Sequence, residues 1–141
     1  MRAMIVAMIL GVCLNMSGQE HGVLAKTTKF PITSEWLYCS RSQDLQTEFW
    51  LLSHGFNVHD RLVSVWQRTY DYSQSIMHLD LILVDRDKKE TLVLFTKLQE
   101  LKSARLIAAF KITKEIMWHK EIPGSIGFAI FDKLDELEEI R

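Results

Sequence analysis

Five histidines are the residues of this chain best suited to binding a metal ion. They are His21, His54, His59, His78 and His119. His54 and His59 lie five residues apart, and they would have to meet His78 across a sheet to form a site. A metal centre needs three or four converging ligands, and no compact ligand motif surrounds these histidines. The sequence therefore predicts no metal site and no cofactor.

Nucleophilic catalysis would require an activated serine or cysteine beside a base. Ser53-His54-Gly55 is not a G-x-S-x-G elbow, and residues 124–127 are only a fragment of one. No glycine loop of the form G-x-x-x-x-G-K-[ST] is present for binding phosphate. These features favour a protein that is not an enzyme.

Residues 47–97 carry charged side chains in an order that resembles the restriction-endonuclease-like fold. An acidic segment is followed by Gly55-Phe56, by Asp80 and by a second strand that ends in Lys97. In that fold an aspartate on one strand and a D/E-x-K pair on the next hold a metal ion, so the resemblance implies metal-dependent DNA cleavage. Phe95 stands where that pattern has a carboxylate. The alternative function is therefore a degenerate domain of this kind, with weak or no nuclease activity.

Aromatic residues alternate along two predicted strands. Trp36 and Tyr38 share a face of the first strand, and Trp66 and Tyr70 share a face of the second. Aromatic faces of antiparallel sheets usually pack in a core or against a neighbouring strand, which is the simpler interpretation of all four. If the protein has a ligand cavity, we expect these four residues to line it.

A β-hairpin between Ser75 and Gln99 is the clearest structural signal. Two apolar, β-prone runs flank the six charged residues Asp85–Glu90, as in a strand, a solvated turn and a second strand. The turn is interpreted as a solubilising tip. The leucines expected to share faces are Leu79, Leu81 and Leu83 on the first arm, and Leu92, Leu94 and Leu98 on the second.

The rest of the chain predicts further short strands and one helix. The strands cover residues 34–40, 48–53, 56–58, 61–72 and 126–131. Residues 48–53 could also close a short helix begun at Ser42, but a strand is favoured. Residues 99–113 fit either a helix or a turn followed by a strand. The tail 132–141 is amphipathic, because apolar residues recur from Ile130 at helical spacing. We expect a mainly β fold, a small antiparallel meander sheet or half-closed barrel with a short C-terminal helix; α+β is the alternative.

Residues 1–18 differ in composition from the rest of the chain. Arg2 precedes an apolar run of about 14 residues, which suits a signal peptide better than a spanning helix. We interpret 1–18 as a signal peptide, 19–33 as an extended leader and 34–141 as a single globular domain. A buried N-terminal strand or helix is one alternative. Membrane association through residues 3–16 is another, if the segment is not cleaved.

Composition and cysteine content narrow the function further. The 141 residues carry a net charge of −1, so no electrostatic footprint for nucleic acid is present. Loss of residues 1–18 would remove Cys13 and leave Cys39, which has no internal disulfide partner and most simply fills a core. We therefore expect a non-enzymatic protein, exported to a periplasm or the extracellular space. It would act as an accessory protein that binds a partner protein or a small apolar ligand.

Overall fold

Six strands pair in chain order to form one antiparallel sheet. The computed structural model describes Gly22 and residues 24–30, 32–111, 117–125 and 127–140. The strands are β1 (Trp36–Arg41), β2 (Thr47–Leu52), β3 (Leu62–Asp71), β4 (Ile76–Asp85), β5 (Glu90–Glu100), β6 (Leu106–Lys111) and the two-residue β7 (His119–Lys120). Helix α1 spans Ala129–Ile140. The predicted mainly β meander with a short C-terminal helix is confirmed, and its sheet does not close into a barrel.

Helix α1 covers one face of the sheet. The β3–β4 register places Val65 opposite Ile82 and Val63 opposite Val84, so both pairs point to the same side. The core on this face contains Leu51, Val58, Val63, Val65, Ile82, Val84, Ile130, Phe131, Leu134 and Leu137. Cys39 packs against this core, and burial raises the pKa of its thiol to about 12. The prediction that Cys39 fills a core is confirmed.

The N-terminal segment covers part of the opposite face. Where an extended leader was expected, Leu24–Thr27 form one turn of 3-10 helix, and Ala25 is buried against the sheet. The buried residues of this second core are Ala25, Trp50, Tyr70, Met77 and Leu101. The predicted signal peptide, residues 1–18, lies outside the described residues. Within the described residues, none of the helices has the length and apolar character needed to span a membrane.

The predicted hairpin is confirmed as β4 and β5, although one of its leucine faces is not. Leu92 lies opposite Leu83, whereas Leu98 lies opposite His78. A bulge opposite Leu81 and Ile82 leaves Leu94 as an extra residue, and a bulge reverses which face the following residues occupy. The prediction that Leu92, Leu94 and Leu98 share a face is therefore wrong.

The charged turn of the hairpin is a structural junction as well as a solvated tip. Asp85 is only 4% exposed, and its carboxylate accepts hydrogen bonds from Arg61 at 2.8 Å and from the backbone N–H groups of Asp87 and Lys88 at 3.1 Å. Arg86 donates to the carbonyl of Val58. It also forms ion pairs with two carboxylates of α1, those of Asp135 and Glu138. The turn thus fastens the hairpin to the helix.

Two predicted short strands are wrong, for local reasons. Asn57 accepts a hydrogen bond from the backbone N–H of His59 at 3.1 Å, and this side-chain turn replaces a strand at residues 56–58. Ala129–Phe131 form the start of α1 instead of a strand, because a short apolar run fits a buried helix equally well. The alternatives for residues 99–113 resolve, over the described part, to a turn followed by β6.

Candidate functional site

Two of the four predicted ligand-lining residues meet at a cleft. Trp36 and Tyr38 line an open cleft of about 460 Å³ at the β1 edge of the sheet. Trp66 and Tyr70 do not line it. Tyr70 is fully buried and donates a hydrogen bond to the carbonyl of Phe30 at 2.7 Å. Trp66 instead packs edge-to-face on Phe95 of β5, with ring centroids 6.1 Å apart.

The aromatic walls of the cleft are held in place by their neighbours. Tyr38 meets Trp50 edge-to-face, with ring centroids 5.5 Å apart. The guanidinium of Arg68 stands 4.2 Å from the centroid of Trp36, a distance typical of a cation–π contact. The described residues that line the cleft are Lys26, Ile32, Thr33, Ser34, Trp36, Leu37, Tyr38, Trp50 and Lys133. Burial raises the pKa of Tyr38 to about 12, so this hydroxyl stays protonated at neutral pH.

A buried carboxylate lies next to these aromatic residues. The side chain of Glu48 is fully buried, and its Oε1 accepts hydrogen bonds from the backbone N–H of Ala25 at 3.0 Å and the hydroxyl of Tyr72 at 3.4 Å. Oε2 has no hydrogen-bond partner among the described residues; Arg41 lies 3.9 Å away. Sequence reasoning missed both Glu48 and Trp50, although their alternation in an apolar run placed them on one strand face.

The residues of the nuclease-like pattern do not converge. Asp80 lies opposite Thr96, whereas Lys97 lies opposite Leu79. Because neighbouring residues of a strand point to opposite faces, Asp80 and Lys97 project from opposite sides of the sheet. Phe95 shares the face of Lys97, so the residue standing in for the carboxylate also points away from Asp80.

Two of the candidate metal-binding histidines, His54 and His59, have different carboxylate neighbours. His54 lies 3.7 Å from Glu35, and His59 lies 3.5 Å from Glu138. His78 is on β4, opposite Thr69 of β3. Over the residues that the structure describes, no three histidine, cysteine or acidic side chains group together as metal ligands.

An exposed apolar surface occupies the other edge of the sheet. Both β6 and β7 pair with β5 on the side away from β4. We call the exposed apolar residues on these two strands and beside β7 the edge surface: Leu106 (53% exposed), Ile107 (42%), Phe110 (55%), Met117 (74%), Trp118 (37%) and Ile122 (69%). Isolated exposed apolar residues are common, whereas larger contiguous apolar patches mark interaction sites or aggregation-prone surfaces.

The edge surface is also basic. Residues 95–111 contain four basic side chains and a single acidic one, Glu100. Glu100 forms an ion pair with Arg105 at 2.9 Å. Lys111 is exposed at the far end of β6. Because the whole chain carries a net charge of −1, this edge is positive relative to the rest of the protein.

Comparison with known proteins adds no family to this description. The chain matches no protein-family model, no curated protein and no solved structure.

Proposed function

We propose that this protein is a non-enzymatic binding module that takes up an extended segment of a partner protein at β6. The observation that carries the proposal is an edge strand with exposed apolar side chains on both faces. Leu106 lies opposite Gln99 and Phe110 lies opposite Thr96. Because Gln99 and Thr96 project from opposite faces of β5, the exposed side chains of Leu106 and Phe110 do so on β6. Natural sheets usually protect such edges, so an edge left apolar suits strand addition.

The backbone of β6 supports this mode of binding. In the described part of the chain, β6 pairs with β5 on one side and with no strand on its outer side. In that part of the chain, no strand takes up its outward backbone N–H and C=O groups. In strand addition, backbone hydrogen bonds provide affinity and alternate side chains provide specificity. The side chains of a partner strand at this edge would contact Leu106, Ile107 and Phe110.

Charge determines the kind of segment we expect. Lys111 and Arg105, which also pairs with Glu100, stand at the two ends of the β6 segment. A partner strand with acidic residues at both ends would complement them. A second copy of this chain fits less well. Antiparallel pairing of β6 with itself about Ala108 would place Arg105 opposite Lys111, and like charges directly opposite each other are destabilising.

A peptide titration tests this proposal. The probe is a peptide of the same length as Arg105–Lys111, with glutamate at both ends and alternating valine and threonine between them. A peptide with lysine at both ends is its control. We expect the acidic peptide to bind more tightly. We also expect Phe110→Ser or Ile107→Ser to weaken it about tenfold, since each removes apolar contact area.

Leu45→Ser is the matched control variant, because Leu45 is comparably exposed but lies in the β1–β2 loop. It should leave binding unchanged, and circular dichroism should show all three variants folded. Equal binding of the two peptides would contradict the role of charge, and equal binding by all variants would contradict the site. Concentration-dependent dimers abolished by Phe110→Ser would favour a second copy as the occupant.

Export is a separate part of the proposal. The apolar composition of residues 3–16 and the small residues Ser17 and Gly18 support a cleaved secretory signal peptide. Membrane anchoring is the alternative if cleavage does not occur. The mass of the protein recovered from its native cell decides: loss of about 18 residues supports export, and an intact Met1 in the cytosol contradicts it.

A further inference from the structure

We propose that the cleft at the β1 edge binds a small organic anion with a flat apolar body, such as an aromatic carboxylate or sulfonate. This cleft lies at the opposite end of the strand order from β6. It would therefore be a second site, independent of the partner surface.

The floor and walls of the cleft suit a flat apolar group. Trp36, Tyr38 and Trp50 supply three aromatic rings, and Ile32 adds an aliphatic side chain. Trp50 is 5% exposed, and its indole N–H points to Glu48 Oε1 at 3.5 Å. The rings are thus positioned before any ligand arrives, which lowers the entropic cost of binding.

The charges of the cleft select an anion. Among the described residues of its lining, the two charged ones are lysines, Lys26 from the N-terminal segment and Lys133 from α1. The two lysines come from elements on opposite faces of the sheet. An anion bound at the edge would therefore have one ammonium group on each side. Lys133 also contacts Glu136 at 3.0 Å, so part of its charge is compensated within α1. Thr33 and Ser34 add hydroxyl groups to the lining.

The size of the cleft fits this ligand class. Its volume of about 460 Å³ lies within the range of roughly 300–1,000 Å³ for small-molecule sites. Such sites combine an apolar lining with a few polar groups that orient the ligand. The lining of aromatic rings, two lysines and two hydroxyls matches that description.

Two fluorescent probes with similar aromatic bodies test the proposal. The anionic probe is 8-anilinonaphthalene-1-sulfonate, and the neutral probe is N-phenyl-1-naphthylamine, which lacks the sulfonate. We expect the double variant Lys26→Gln, Lys133→Gln to weaken binding of the anionic probe about fivefold, as for the loss of two partly exposed ion pairs. Binding of the neutral probe should not change. The matched control is Lys102→Gln, Lys111→Gln, which removes two exposed lysines from the other edge and should change neither probe.

Variants at the two edges locate the bound probe. Trp36→Leu should weaken both probes, because it removes a wall of the cleft, whereas Phe110→Ser should leave both unchanged. The proposal is overturned if Phe110→Ser abolishes the anionic signal, since the probe then lies on the edge surface. It is also overturned if the lysine variants weaken both probes equally, or if the anionic probe does not bind. These outcomes do not depend on whether β6 binds a peptide.

Discussion

Two carboxylates have structural roles that their positions in the sequence do not reveal. Glu48 lies in an apolar strand, yet its buried side chain binds the N-terminal segment through the backbone N–H of Ala25. Asp85 lies in a charged turn, yet it is buried and accepts hydrogen bonds from Arg61 and from two backbone N–H groups. Buried polar groups are stable in a fold when they are hydrogen-bonded, so each carboxylate fixes the conformation of the segment it binds.

Asp85 leads to a prediction about pH. The hydrogen bond from Arg61 is the largest cause that lowers the pKa of Asp85 below its ordinary value of 3.8. A carboxylate with a depressed folded pKa stabilises the fold above the unfolded pKa and loses that contribution as pH falls toward the folded value. We therefore expect the urea midpoint to fall as the pH is lowered from about 5 toward 2. Asp80 has the opposite effect on stability. Burial raises its pKa, so its protonation at low pH favours the folded state.

Urea titrations of the wild type and Asp85→Asn measure this effect. The variant should be less stable at neutral pH, since it loses the charged partner of Arg61, and its stability should depend less on pH in the acidic range. Glu139→Gln, which removes an exposed carboxylate of α1 away from Arg61, is the control; Asp87 is unsuitable because it also pairs with Arg61, at 3.6 Å. If wild type and Asp85→Asn respond identically to acid, Asp85 is not the group responsible.

At the scale of elements, helix α1 is required to cover the face formed by β2, β3 and β4. Leu134 is fully buried in this core. Leu134→Ala removes buried methyl groups and leaves a cavity, so we expect it to destabilise the fold by about 3 kcal/mol. Glu139→Ala, on the exposed side of the same helix, should change the free energy of unfolding by less than about 0.5 kcal/mol. Chemical denaturation followed by tryptophan fluorescence checks both values, and equal stabilities would show that α1 does not pack on the sheet.

Elements with strong periodicity were the ones that the sequence predicted. Alternation predicted β1, β3 and the β4–β5 hairpin, and helical spacing predicted α1 from Asp132 onward. The alternation of apolar residues could not locate the bulge at Leu94. An extra residue reverses the sheet face on which the following side chains lie, but it leaves the amino-acid composition of the strand apolar. Aromatic β propensity and the turn at Gly55 wrongly predicted a strand at residues 56–58, where the side-chain turn at Asn57 overrides the β propensity of its neighbours.

At the scale of the whole molecule, the candidate sites depend on contacts between distant segments. Alternation placed Trp36 and Tyr38 on one face of β1, and both line the cleft. The packing of the N-terminal segment buries Tyr70, so Trp50 lines the cleft in its place. Phe110 lay in a stretch where helix and strand fitted equally well, so its place on an edge strand was not predictable. The two edges of the open meander, β1 and β6, are where these distant contacts leave the two proposed binding surfaces.

Amide hydrogen exchange across the sheet tests most directly the claim that β6 accepts a partner strand. Exchange is followed by NMR with and without the glutamate-ended peptide. A bound strand should slow exchange at Leu106–Lys111, because their outward N–H groups gain hydrogen-bond acceptors, and should leave Trp36–Arg41 of β1 unchanged. Unchanged exchange in β6 at a peptide concentration that saturates binding would contradict the account.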